Sequence, residues 1–371
     1  MKTVKFSDVV TRANTKEDRF NTDKIYYVGG EHIDSNEMKI EKRGIIAGST
    51  IGPMFYCGFK SGDILFVTRN PHLRKCGVVD FDGICSEKTF VLETKNKDIL
   101  LQEYLAIVMQ SDDFWNYCEE NKSGGVNYFL NWSTLAEYEF YLPSLAEQKV
   151  LADKLWAAYE VKQSYLKMIA ATEEMVKAQF IEMFGEVSEN SPILNDVAEV
   201  YDGTHKTPSY TDSGIPFISV ENIDNLYGSE KYISENDYLL FKHKPEYGDV
   251  FMTRIGSIGK CAVYESSEPL AYYVSLALIK PNRKIIQSKF LKYYIESNDG
   301  VRELKQRSLL RAFPMKINLG EIGKIKIILP PINEQISFVE IAEQADISIS
   351  ELRKSVDAID KVIKSLINEN L

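Results

Sequence analysis

The chain has few of the features that announce a particular chemistry. Its five cysteines (Cys57, Cys76, Cys85, Cys118, Cys261) include no Cys-x-x-Cys pair. Neither a disulfide framework nor a zinc ribbon follows, and a reducing compartment is the default. The four histidines, His32, His72, His205 and His243, show no metal-ligand spacing. No run approaches the roughly 18 consecutive apolar residues of a membrane span. The opening MKTVKFSDVV lacks the apolar core of a signal peptide, so a cytoplasmic location and no membrane partner are expected. An excess of basic charge is also missing: the formal net charge is −10. Residues 1–143 carry −4, 144–185 carry −1, 331–371 carry −4, and 192–330 alone reach +1. Since phosphate neutralisation supplies most non-specific affinity for nucleic acid, the isolated chain should bind DNA weakly. A partner would have to supply part of the grip.

Catalytic signatures are absent too. The closest approach to the Asn/Asp-Pro-Pro-Tyr/Phe loop of an adenine methylase is Leu329-Pro330-Pro331-Ile332, which lacks the polar first and aromatic last residues. The segment GSIGK (256–260) has two residues between its glycines where a P-loop has four, and Cys261 follows where Ser or Thr should stand. No catalytic residue, cofactor site or metal site is assigned to this chain.

What the sequence does contain is a duplication. LPSLAEQ (142–148) recurs as LPPINEQ (329–335) at an offset of 187 residues. TRNPHLRKCGVV (68–79) recurs as TRIGSIGKCAVY (253–264) at an offset of 185, aligning Thr68, Arg69, Lys75 and Cys76 with Thr253, Arg254, Lys260 and Cys261. Gly62-Asp63 and Gly248-Asp249 precede these segments, and IYYVGGEHID (25–34) echoes IPFISVENID (215–224). Fixed order with a drifting offset is the mark of two copies separated by small loop insertions.

Each copy is a mixed region followed by a long helix. The first part holds short β-prone runs, among them 63–68, 249–253 and 322–330, punctuated by Gly, Asn and Asp. Short helices are expected around 100–111 and 288–297. Beyond the Leu-Pro-x-x-x-Glu-Gln signature each copy becomes helical for about 40 residues. In the second helix Phe338, Ile341, Ala345, Ser348, Leu352, Ser355, Ile359, Val362 and Leu366 form a 3-4 seam. The first carries Leu151, Leu155, Ala158, Tyr165, Ile169, Thr172, Val176 and Met183, with Lys162 as an interruption. Trp156, Val161, Met168, Phe180 and Phe184 widen its stripe, as if it met more than one neighbour. Gly185 suits a helix stop. The economical arrangement packs the two helices on each other, antiparallel, spanning roughly 55 Å at 1.5 Å per residue.

This layout resembles the specificity subunit of type I restriction-modification systems. LPSLAEQ and LPPINEQ carry the resemblance most specifically, with Ser144 replacing the second proline. AQFIEMFG (178–185), DVAEVYDGTHKTPSY (196–210), GIPFISVENI (214–223) and VNYFLNWSTL (126–135) support it. The resemblance implies an α+β fold, in which two globular α/β target-recognition domains are separated by two long antiparallel helices in a coiled coil with pseudo-two-fold symmetry. Its parts would be recognition domain 1 (1–143), a central helical spacer (144–185), recognition domain 2 (186–330) and a C-terminal helical spacer (331–371). It further implies double-stranded DNA as ligand, read as a bipartite asymmetric site. Two modification subunits using S-adenosylmethionine, and restriction subunits using ATP and Mg, would be the partners.

Candidate DNA contacts follow from donor-rich loops. Arg69, Arg74 and Lys75 in one copy, and Arg254 and Lys260 in the other, recur in both and therefore suit phosphate positioning or structure better than base reading. Loop 203–207 offers Thr204, His205 and Lys206, though Asp202-Gly203 is also an ordinary turn. Arg302, Lys305, Arg307 and Arg311 form the densest basic cluster, with a solvated surface as the competing account. In the first copy, loop 123–128 and its flank offer Asn127, Tyr128 and Asn131, while Phe129 and Trp132 suit the core. Two other readings stay open: a coiled-coil scaffold with protein-binding heads, and a self-contained nucleotide-using enzyme.

Overall fold

The computed structural model describes residues 2–309 and 314–370. The fold is mixed α+β and divides into two compact units, one formed by Met1–Lys167 with Leu352–Leu371, the other by Met168–Glu351. The division falls inside both long helices rather than at their ends.

Unit 1 opens with β1 (Lys2–Lys5), α1 (Phe6–Val9), β2 (Val10–Arg12), β3 (Tyr26–Val28), β4 (Lys39–Ile40) and β5 (Gly44–Ile45). There follow β6 (Phe55–Phe59), β7 (Ile64–Val67), β8 (Cys76–Val79), β9 (Gly83–Ser86) and β10 (Thr89–Thr94). Helices α2 (Gln102–Val108), α3 (Asp112–Glu120) and α4 (Trp132–Ala136) lead to β11 (Glu139–Leu142) and the 40-residue α5 (Leu145–Phe184). The strands form sheets ordered β2-β10-β7-β8-β4 and β5-β3-β9-β6, plus the pair β1-β11. Strand β7 is Ile-Leu-Phe-Val and buried on both faces, because Phe66 enters a core with Tyr104, Phe114 and Trp115 while Leu65 and Val67 enter another with Val28 and Phe59.

Unit 2 repeats the plan with β12 (Ala198–Asp202), β13 (Ile215–Ile218), β14 (Tyr232–Ile233), α6 (Glu235–Leu239) and β15 (Val250–Thr253). It continues with β16 (Cys261–Val263), β17 (Ala271–Tyr272), β18 (Leu276–Pro281), α7 (Ser288–Glu296), α8 (Asn298–Arg307) and α9 (Leu319–Ile322), then α10 (Ile332–Asn370). Its sheets are β12-β18-β15-β16 and β14-β13-β17. The order of β2-β10-β7-β8 is thus repeated, as is the parallel pairing of β3 with β9 in that of β13 with β17. The expected strand at 322–330 does not form; Lys326 makes only an isolated bridge to Ile193, whereas its counterpart β11 pairs with β1 along four residues.

Hydrogen bonding corrects the repeat by one residue. Val67 donates to Lys75 O as Thr253 donates to Lys260 O, and Leu130 donates to Thr68 O as Ile317 donates to Arg254 O. Arg254 therefore stands where Thr68 stands, and Arg69 corresponds to Ile255. The two arginines matched by identity are not equivalent, because the strands after Asp63 and Asp249 are equally long and the extra residue of the first copy lies in the loop between Val67 and Lys75. Lys75 and Lys260 remain matched, as do Cys76 and Cys261, which pair with Phe66 and Met252.

The duplicated signature has a structural reason. Gln148 is fully buried; its Oε1 accepts from Leu101 N at 2.9 Å, and its Nε2 donates to Ile99 O and Pro143 O. Gln335 does the same with Gln287 N, Ile285 O and Pro330 O. Each glutamine ties the start of its long helix to the entry of the preceding short one (α2, α7), satisfying backbone groups that burial would otherwise leave orphaned. Ser144 adds a capping box, its amide bonding Glu147 Oε2 at 2.8 Å and its Oγ accepting from Glu147 N at 3.4 Å. Gly185 closes α5 at φ +69, with its N–H on Ile181 O.

The seam of α10 also needs correction. Ile341 and Val362 are 38% and 53% exposed, while Ala342, Val356 and Ile363 are buried. The row Ile341, Ser348, Ser355 and Val362 gives way to its neighbour one residue on, Ala342, Ile349, Val356 and Ile363, which brings apolar residues in place of two serines. Lys162 does not interrupt the stripe. In unit 1 its Nζ lies 3.0 Å from Glu37 and 2.9 Å from Asp360, with Tyr159 Oη also on Glu37. Burial would lower the Lys162 pKa, but bonds to Asp360 and Glu37 outweigh it and raise the value above the usual 10.5. The pair thus stabilises at neutral pH and is lost as pH rises through that raised value. Lys162→Met should cost about 1–3 kcal/mol in urea unfolding at pH 7, since Glu37 and Asp360 stay partly solvated. The deficit should shrink as the pH rises through that raised value; a pH-independent deficit would contradict the assignment.

Candidate nucleic-acid interface

In unit 1 the sequence candidates separate into two places. Arg69 Nη1 lies 3.5 Å from Asn127 O and its guanidinium sits over the Phe129 ring at 5.1 Å, while Lys122 covers Tyr128 at 4.4 Å. The loop is held by reciprocal bonds between Ser123 and Phe129 and by Asn70 N on Tyr128 O. Gly124 has φ +99, and a Cβ there would meet Asn127 O at 2.7 Å, so only glycine closes the loop without movement. Arg69, Lys122, Asn127 and Tyr128 form one cluster, with exposed Asn131 directly before α4. Arg74 and Lys75 are elsewhere. Arg74 Nη1 bonds Asp112 at 2.6 Å and holds that carboxyl below its usual range, and Lys75 Nζ donates to Gly30 O at 2.6 Å.

In unit 2, loop 203–207 lines a cleft of about 590 Å³ together with Tyr201, Phe241, Lys242 and His243. Asp202 anchors its base: Arg254 pairs with one carboxylate oxygen, and His205 Nε2 lies 3.1 Å from the other. The Arg254 side chain is only 12% exposed and also donates to Ile317 O, so it supports the cleft from within. Thr204 joins the sheet through a bridge to Tyr273, and its hydroxyl donates to Lys206 O. Tyr201 and His243 stack with centroids 3.6 Å apart. Leu240, 79% exposed, stands at the cleft with Lys242, next to Leu239, itself 68% exposed. Sequence reasoning missed this rim; two adjacent exposed leucines at the C-terminal end of α6 carry no periodic signal.

Lys260 is exposed and ion-paired to Asp224 at 3.1 Å. Its segment GSIGK turns β15 into β16 with no helix following, so it lacks the helix N-terminus that a phosphate loop uses. Arg307 lies at the end of α8, 3.5 Å from Glu303 and 3.7 Å from Glu321. Arg311 is outside the described residues. Among those residues, no group of three or more His, Cys, Asp or Glu is placed to hold a metal ion, and no helix is long and apolar enough to cross a membrane.

Two copies of one α+β framework, alike in their buried ties and unlike in their polar loops, define a paired recognition module. A model of the type I restriction modification DNA specificity domain matches residues 1–164 and again 193–358, and the chain belongs to that family. A curated relative, the "Putative type I restriction enzyme MjaX specificity subunit" of Methanocaldococcus jannaschii, is 26% identical over 204 residues, or 50% of this chain. That match spans 46% of the relative's length. Among solved structures, a type I restriction-modification S subunit from M. genitalium aligns over 99% of this chain and 94% of its own, with TM-score 0.60 and 13% identity. A chain from a study of assembly and conformational transition of the type I R-M system aligns over 99% and 96%, with TM-score 0.57 and 21% identity. These two likenesses are of fold.

Proposed function

We propose that this chain is the DNA sequence-recognition subunit of a type I restriction-modification complex. It reads a bipartite, asymmetric site, one half with recognition domain 1 (1–143) and the other with recognition domain 2 (186–330). The helical segments 144–185 and 331–371 pair antiparallel as a coiled-coil spacer related by a pseudo-two-fold axis. In support, residues around Ile363 and Ile367 pack on Ala152 and Leu155 within unit 1, and Phe338 packs on Phe180 and Phe184 within unit 2. The observation that carries the reading is the contrast between copies. The Gln148 and Gln335 ties are identical in both, while the equivalent segments that leave β2 and β12 differ: Lys16 bridges Cys57 on β6 in one, and Thr204 bridges Tyr273 in the other. A fixed frame with divergent donor-bearing loops is what reading two different half-sites requires.

The net charge of −10 sets the division of labour. Modification subunits clamp the DNA and carry S-adenosylmethionine and the methyl transfer; restriction subunits carry ATP and Mg. The chain itself holds no cofactor and works in the cytoplasm. Mixing the purified chain with its cognate modification subunit should give a complex with two modification subunits that methylates adenine in a split site. Its DNA affinity should fall steeply with salt. Failure to form a stable complex, or methylation of an uninterrupted site, would contradict the proposal.

A further inference from the structure

The units differ beside β9. In unit 1 this strand is flanked by β3 and by β6, whereas the counterpart β17 meets β13 and, on its other side, only the Thr204 bridge. Strand β6 carries Cys57, and the antiparallel register sets Cys57 opposite Cys85 on β9. Opposed residues of an antiparallel pair share a face, with Cα atoms about 4.5–5.5 Å apart. That lies inside the roughly 4.4–6.8 Å a disulfide spans. Both side chains enter the same cluster, alongside Val28, Phe59 and Val79. Cys85 is fully buried and Cys57 half-buried, and both are free thiols. The equivalent of Cys85 in unit 2 is Tyr272, so no such pair exists there.

The surroundings make the two thiols unequal. A hydrogen bond from Cys85 holds the Cys57 thiol down to about 7 against the opposing effect of burial, with Arg12 and Lys16 nearby adding to the lowering. The same bond, together with burial, pushes Cys85 up. Cys76, Cys118 and Cys261 are buried, and desolvation pushes each of them up.

We propose that Cys57 and Cys85 constitute a peroxide-reactive dithiol in unit 1, with Cys57 attacking and Cys85 resolving. The Cys57 thiolate displaces hydroxide from hydrogen peroxide and becomes a sulfenic acid. Cys85 gives up its proton and attacks that sulfur, expelling a second hydroxide. In sum two thiols and one peroxide give one disulfide and two waters, the sulfurs losing the two electrons that peroxide gains. The new bond ties β6 to β9, whose continuation supplies Lys88 O, the acceptor for Thr68 N and Oγ1 next to Arg69.

The test is chemical and does not depend on DNA reading. The reduced, folded chain is exposed to hydrogen peroxide, alkylated, digested without reductant and mapped by mass spectrometry. The expected product is a Cys57–Cys85 linked peptide lighter by two hydrogens, lost in both Cys57→Ser and Cys85→Ser. Iodoacetamide should modify Cys57 of the untreated chain at neutral pH at least about tenfold faster than Cys76. Absence of the linked peptide from folded protein, or equal alkylation of Cys57 and Cys76, overturns the proposal. The alkylation comparison uses the unmodified chain, so it decides even where a serine variant misfolds.

Discussion

Gln335→Ala is expected to lower the stability of unit 2 by about 3–5 kcal/mol. The side chain is fully buried and serves three backbone groups: it accepts from Gln287 N at 2.8 Å, and donates to Ile285 O at 2.9 Å and Pro330 O at 2.8 Å. Alanine leaves all three unpaired in a dry setting, at about 1–3 kcal/mol each before partial relaxation, and adds a cavity. Since domains are stable by only about 5–15 kcal/mol, this is a large fraction. Gln335→Glu keeps the acceptor but removes both donations and buries a charge, so it should be no better tolerated at neutral pH. Gln148→Ala should act the same way on unit 1, through Leu101, Ile99 and Pro143. Urea unfolding of the full chain reads both, and a loss below 1 kcal/mol for Gln335→Ala would refute the tie.

The second large effect is on specificity. Alanine at Thr204, His205 and Lys206 together removes two exposed donors and the half-buried Thr204 hydroxyl at the mouth of the unit 2 cleft, while leaving the Asp202–Arg254 pair beneath it intact. A single good base contact is worth about 1–3 kcal/mol of discrimination. The assembled complex should therefore methylate its site roughly 100-fold more slowly, with sequence errors confined to one half. Asn127→Ala with Tyr128→Phe should place its errors in the other half. Adenine methylation mapped across a genome expressing each variant measures this directly. Errors spread over both halves would show that the loops do not read separate half-sites.

Much of the frame was legible in the residues because it rests on local periodicity. Short β-prone apolar runs marked β7 and β15, proline and glycine marked the ends of α5, and the recurring Leu-Pro-x-x-x-Glu-Gln marked the duplication. Two neighbours of the expected helices were missed: α3 and α8 each follow a predicted helix after a sharp break at Ser111 or Ser297. The candidate site was only partly legible. Arg69, Asn127 and Tyr128 come together, as do Thr204, His205 and Lys206, but Arg74, Lys75 and Lys260 point to internal partners.

By itself, then, the sequence determined that there are two copies, where the two long helices start and where the first one stops, and that the copies differ in their polar loops. Only tertiary structure decided which arginine matches which, which row of α10 is buried, and that Lys162 belongs in the stripe. The reason is one of range. Helix and strand patterns repeat every few residues and are written locally, whereas the partner of a buried polar group can be far along the chain. Gln148 serves Leu101, 47 residues away, and Lys162 serves Glu37, 125 residues away. Neither spacing follows a rule, because each is set by how the sheet folds back onto the helix.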